Sequence, residues 1–169
     1  AQTPQFVSTE HANKNVIIEE YTGVNRGFCP AGHTIVTEYE EENPGRVFGI
    51  NIHQGPFAAG TYITQWGDAL ANQTGLTGYP AGTVNRHVFS GVVTALDRGS
   101  FVQRGNQILA QTSFVNVAAQ ATIDLETREL IVNVEAYYTA DAETSSNKLN
   151  VVLLQDNIIG QQSGASANP

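Results

Sequence analysis

Cys29 and His33 stand four residues apart, a spacing that on a helix puts a thiol and an imidazole one turn apart. Such a pair could share a metal ion or form an activated Cys-His couple. Two ligands do not make a zinc site, and His11, His53 and His87 fall in no ligand spacing, so no metal and no cofactor is expected. Glu19 and Glu20 are adjacent in a stretch that reads as a strand. Their side chains therefore leave on opposite faces and cannot act as a carboxylate pair, and one of the two is expected to be partly buried. Glu38, Glu40, Glu41 and Glu42 gather near the end of a predicted helix, where they oppose its dipole and mark a solvated face. No Gly-x-Ser-x-Gly elbow, Walker loop, Gly-x-Gly-x-x-Gly fingerprint or EF-hand loop occurs.

The elements that must position these residues follow from periodicity. Residues 1–14 show no sustained period and read as an extended arm or linker. The run Val16-Ile17-Ile18 predicts a strand buried on both faces. Pro30 suits a first helical turn, Ala31, Ile35, Val36 and Tyr39 fall on one face, and Asn43-Pro44-Gly45 stops the helix. Arg46 to His53 predicts a second strand, ending at Gln54-Gly55-Pro56. Tyr62, Trp66, Ala69 and Leu70 recur at helical spacing, which places Trp66 in the core. Thr83 to Phe89 reads as a strand, Ser90-Gly91 as a hairpin turn and Val92 to Leu96 as its partner; Ser100 then caps a third helix. After Thr112 the pattern changes to alternation: Val115 to Ile123, Leu130 to Tyr138, then Leu149, Val151 and Leu153 predict antiparallel strands with one buried face. Too few residues follow Thr112 for a complete immunoglobulin-like sandwich, which needs about a hundred.

Composition limits the partners. The 169 residues carry 8 basic and 16 acidic side chains, a net charge of −8, which repels phosphate backbones; nucleic acid is not an expected partner. The charged fraction of 14% beside 41% hydrophobic residues excludes a disordered polyanion. No apolar run approaches the roughly 20 residues a membrane-spanning helix requires. One cysteine permits no internal disulfide. The chain opens on Ala1-Gln2-Thr3-Pro4 without Met, which reads as a processed or trimmed end; an upstream segment, and a lipid tether through it, is the expectation.

The order β-α-β-α-β-β-α, with Cys29-Pro30 opening the first helix and Gly78-Tyr79-Pro80 leading into the third strand, resembles a thioredoxin-like domain. More narrowly, Glu19-Glu20-Tyr21-Thr22-Gly23, Cys29-Pro30-Ala31-Gly32-His33, Gly78-Tyr79-Pro80 and Val84-Asn85-Arg86 are similar to the twenty-eight-kilodalton outer-membrane protein family of Gram-negative bacteria. Asn147-Lys148-Leu149-Asn150-Val151 and Asp156-Asn157-Ile158-Ile159-Gly160 fit that family's β-rich second half. The resemblance spans about residues 15–162. It implies an α/β plus β architecture: an arm over 1–14, a thioredoxin-like βαβαββα domain over 15–111, an incomplete antiparallel β-sandwich-like unit over 112–162 and a flexible tail over 163–169. It also implies export to the periplasm or outer membrane surface.

A dithiol site would need Cys-x-x-Cys, whereas this window reads Arg26-Gly27-Phe28-Cys29. Arg26 occupies the attacking position and cannot be a nucleophile, so a dithiol cycle within the chain is excluded. The resemblance implies that Cys29, in the resolving position, faces inward as an inert thiol, and that Pro80 is cis rather than a trans turn proline. Ligand crevices of open α/β sheets lie at the C-terminal ends of parallel strands. That assigns Arg26, Phe28, His53, Gln54, Tyr79 and Pro80 to one crevice, where Arg26 could hold a carboxylate or phosphate and Tyr79 could stack a ring. The plainer alternatives are a solvated arginine and a packed tyrosine. The expected function is a non-catalytic binding or structural module with a protein or peptide partner. The alternatives are a monothiol redox protein using Cys29 and a self-assembly module working through its β half.

Overall fold

The structure is a computed structural model and describes residues 3–164. The tail expected over 163–169 lies, from residue 165 onward, outside the described residues. The chain is mixed α/β with two sheets, and it divides into two compact units: residues 15–110 with 152–164, and residues 3–14 with 111–151.

The first unit contains β1 (Val16–Thr22), α1 (Cys29–Glu42), β2 (Val47–His53), α2 (Gly67–Asn72), β3 (Ala81–Val84), β4 (Leu96–Asp97) and α3 (Phe101–Leu109). Its four strands run in the order β2-β1-β3-β4, with β1 parallel to β2 and antiparallel to β3. β1 is central and almost wholly buried, as its apolar run predicts. Alternation along it separates two clusters. Val16 and Ile18 join Val36, Tyr39, Val47, Val84, Phe101 and Ile108 beneath α1 and α3, while Tyr21 joins Ile52 and Ala71 of α2 on the other face. Tyr21's hydroxyl is buried with no partner, and burial, with Glu19 nearby, pushes its pKa up to about 12.

α1 has Pro30 in its first turn and stops before Gly45, whose φ of +72° glycine adopts without strain. It buries Cys29, Gly32, Val36 and Tyr39 instead of a stripe begun by Ala31, which is exposed. Glu40 also leaves the solvated face assigned to it: its Oε1 accepts a 2.6 Å hydrogen bond from the Gly49 amide of β2.

Three further expectations are corrected. Trp66 is 65% exposed, because α2 begins only at Gly67 and the turns before it carry Trp66 outward. No hairpin forms at Ser90-Gly91; Asn85 and Arg86 both take positive φ (50° and 47°) and turn the chain away after Val84, so β3 meets β4 only through Ala81 and Gly82. Arg86 is drawn to Glu19, and Asn85 Oδ1 accepts from the Ile17 amide at 2.7 Å. Ser100 precedes α3 without capping it. Its hydroxyl donates to Asp97, whose other carboxylate oxygen takes the Gly99 amide.

The second unit is built on the hairpin β5 (Val115–Asp124) and β6 (Glu129–Tyr138), closed by Asp124 accepting the Glu126 and Thr127 amides. Its register pairs Val115 with Tyr138, Val117 with Ala136, Ala119 with Val134, Ala121 with Val132 and Ile123 with Leu130, so one face is entirely apolar. The expected strand through Leu149, Val151 and Leu153 is absent: residues 139–164 form neither helix nor strand, and those three side chains are exposed. Of the sandwich-like unit, the structure shows one two-stranded sheet. The arm read as a linker is held to it. The successive amides of Gln5, Phe6 and Val7 all donate to the Glu135 carboxylate at 2.9–3.1 Å, and Asn13 bridges to Thr112.

These donors, the Phe6 amide foremost, hold the Glu135 carboxyl below the usual carboxylate range. A depressed folded pKa means that the attachment is complete at neutral pH and is lost as pH falls through that lowered value. Glu135→Gln should therefore speed amide exchange at Gln5, Phe6 and Val7 at pH 7, with β5 and β6 protection unchanged; wild-type exchange rates in the variant would refute the anchor.

Candidate functional site

The crevice is assembled from the loop after β1, the end of β2 and the segment entering β3. Gly23 lets this loop lie directly against the Phe57 backbone, and the Asn25 amide donates to the Phe57 carbonyl at 2.9 Å. Arg26 follows. Its Nε donates to the Tyr79 carbonyl at 3.1 Å, and its guanidinium lies 4.8 Å from the Phe57 ring centre and 5.3 Å from that of Phe28. Arg98 reaches the same ring at 6.0 Å and donates through Nη1 to the Phe28 carbonyl at 2.8 Å. Phe28 itself is 60% exposed. The Tyr79–Pro80 peptide is cis.

Tyr79 is packed and bonded. Its hydroxyl donates to Gln54 Oε1 at 2.6 Å, Gln54 Nε2 donates to Asp68 at 2.9 Å, and the ring meets Phe57 edge-on at 5.9 Å. Burial raises its pKa. A cavity of about 300 Å³ opens beside it, lined by Gln54, Ala71, Asn72, Leu76, Thr77 and Tyr79. His53 turns elsewhere: its ring lies 5.3 Å from Tyr62, its Nδ1 is buried without a partner, and burial, then the charge of His33, lower its pKa. The structure thus joins Arg26, Phe28, Gln54, Tyr79 and Pro80 through direct contacts or chain adjacency, and sends His53 to a different neighbour.

Cys29 is 0% exposed at the start of α1. His33, one turn on, does not pair with it. Its Nδ1 lies 2.9 Å from Glu20 Oε2 and its Nε2 lies 3.3 Å from Thr22 Oγ1, so both ring nitrogens are engaged by β1. Among the described residues no group of three or more His, Cys, Asp or Glu converges as a metal site would require. Glu19 and Glu20 do leave on opposite faces, yet both are buried, not one: Glu20 against His33, and Glu19 against Thr83 and Arg86. Glu20 Oε1 has no hydrogen-bond partner and sits against Gly32, where a Cβ would collide with it.

Phe57, Arg98 and Gln162 were not visible as site residues from sequence, because each arrives from a remote segment. Gln162 Nε2 donates to the Arg26 carbonyl at 3.1 Å and to Gly23 at 3.4 Å, while the Ser163 amide donates to Val24 at 2.8 Å. Residues 162 and 163 therefore lie along the loop that presents Arg26.

The family model described as Outer membrane protein Omp28 matches residues 67–168. That stretch contains Gly78-Tyr79-Pro80 and Val84-Asn85-Arg86 and excludes Cys29 and Arg26. No curated protein matches the chain. Among solved structures the fold is similar to HBP35 of Porphyromonas gingivalis, with a TM-score of 0.52 and 22% identity, covering 66% of this chain and 38% of that one. The chain thus spans well under half the length of that relative, and the likeness bears on fold.

Proposed function

The chain belongs to the Omp28 family of outer membrane proteins, and from that premise we propose a non-catalytic binding or structural module of an exported, outer-membrane-associated protein. Its α/β unit serves as a thioredoxin-like scaffold. That finer reading is supported by the element order, the β2-β1-β3-β4 sheet and the HBP35 likeness. No helix among the described residues is long and apolar enough to cross a membrane. One observation carries the non-catalytic reading. The guanidinium of Arg26 is bonded to the Tyr79 carbonyl and lies against the Phe57 and Phe28 rings, while the one sulfur, on Cys29, is fully buried. A buried thiol behaves as a small hydrophobe and cannot reach a disulfide in solution.

The test is titration of the native chain with a thiol reagent, followed by the same titration in denaturant. Cys29 should react only after unfolding, and the chain should not reduce insulin disulfides. Turnover abolished by Cys29→Ala would establish the monothiol reading instead.

A second reading, self-assembly, is favoured by the apolar hairpin face, on which Val117, Ile123, Leu130 and Val132 are exposed. Two-stranded hairpins are marginal alone and gain from packing. Light scattering at rising concentration should then show a dimer that Val117→Asp with Val132→Asp disperses; a monomer throughout would sink this version.

A further inference from the structure

We propose that Arg26, Arg98 and Phe28 form a docking patch for an acidic side chain of a peptide or protein partner, an inference that rests on reading the crevice as a binding site.

Arg26 and Arg98 are two of the 8 basic residues of this acidic chain, and both converge on the exposed ring of Phe28. Glu20 pairs with His33 and Glu19 with Arg86, and among the described residues neither Arg26 nor Arg98 has a carboxylate partner. Each is nonetheless held in place. Arg26 is anchored by the Tyr79 carbonyl and stacked between Phe57 and Phe28; Arg98 is anchored by the Phe28 carbonyl and lies over the same ring. One donor on each guanidinium is used in the anchor. The others stay available, already oriented, for the planar two-point bonding that carboxylates accept. Ordering side chains before the partner arrives removes part of the entropy lost on binding.

The surroundings select the ligand class. Phe28 is 60% exposed between the two cations, so it offers an apolar surface beside the charge, suited to a carboxylate flanked by an apolar neighbour. Arg26 already takes one of the two acceptor positions of the Tyr79 carbonyl, and a carboxylate, itself only an acceptor, is drawn to the side-chain donors here. The patch is open, and the cavity beside Tyr79 is lined by other residues, which disfavours a small molecule that would need enclosure. The net charge of −8 repels phosphate-dense polyanions, whereas two local cations suit a single carboxylate.

The experiment titrates the intact ¹⁵N-labelled chain with a blocked hexapeptide, acetyl-Gly-Ser-Phe-Glu-Ser-Gly-amide, with its Gln-for-Glu counterpart, and with inorganic phosphate. The acidic peptide should shift the Arg26 and Arg98 side-chain signals and the Gly27, Phe28 and Gly99 amides, and bind about tenfold more tightly than the Gln peptide. Arg26→Gln and Arg98→Gln should each erase that preference while leaving the core amides in place. Equal binding of the two peptides overturns the proposal but leaves a binding crevice standing; so does a comparable response to phosphate. Shifts confined elsewhere, or none at millimolar peptide, also overturn it. Disulfide turnover by Cys29 is the separate result that would remove the underlying reading.

Discussion

Gly23→Ala is expected to destabilise the α/β unit by about 3 kcal/mol, at the upper end for overpacking, and to dislodge Arg26 from Phe57. A Cβ at this position would overlap the Phe57 carbonyl group and lie 2.6 Å from the Ala58 amide nitrogen. These are backbone atoms, so no rotamer change makes room. The opposing segment is itself tied down by the Asn25 to Phe57 bond and by the Ala58 amide donating to Gly55 at 3.2 Å. Relief therefore requires moving a whole loop, and Phe57 is the ring against which Arg26 stacks. Urea unfolding gives the stability, and the Arg26 Nε–H resonance reports the stacking. A Gly23→Ala chain of wild-type stability would show that the two loops do not touch as described.

The second large effect belongs to the core. Phe101→Ala should cost about 3–5 kcal/mol, the range for emptying a buried aromatic site. Phe101 is 0% exposed at the first turn of α3, and its ring fills the space above Gly82 of β3, where a Cβ would stand 2.7 Å from the ring's tip. The cavity opens beside Ile108 of α3 itself and among Val16, Ile18 and Val84, on strands that cannot close in without breaking their pairing. Trp66→Ala serves as the contrast. Despite the larger side chain lost, its exposure limits the change to roughly 0.5 kcal/mol. Chemical denaturation of both variants decides the matter; a larger loss at Trp66 would invert the assignment of the core.

What the sequence disclosed depended on the range of the forces involved. β1, β2 and the β5–β6 hairpin were legible because their apolar period is local and one face or both must be buried. α1 was legible through Pro30 and the Asn43-Pro44-Gly45 stop. Trp66 was misplaced because a four-residue recurrence cannot tell a helix from successive turns leading into one. The hairpin at Ser90-Gly91 failed for a tertiary reason: Arg86 bonds Glu19 and Asn85 bonds Ile17, and both pull the chain into left-handed turns. Within the crevice, Arg26, Phe28 and Tyr79 could be named from loop position. Phe57, Arg98 and Gln162 could not, since no short-range pattern announces which distant segment will supply a ring, a cation or an amide. Glu20 stayed half-read for the same reason, its burial being set by where α1 delivers His33.

The bond from Glu40 to the Gly49 amide also governs how this sheet can grow. β2 is the outermost strand on its side, and Gly49 would be a ready donor for any foreign strand arriving there. An incoming chain would have to evict an anion before it could pair. The opposite margin, β4, is two residues long and gives a newcomer little to zip onto. Fibril-like stacking is thus discouraged at one rim by charge and at the other by brevity.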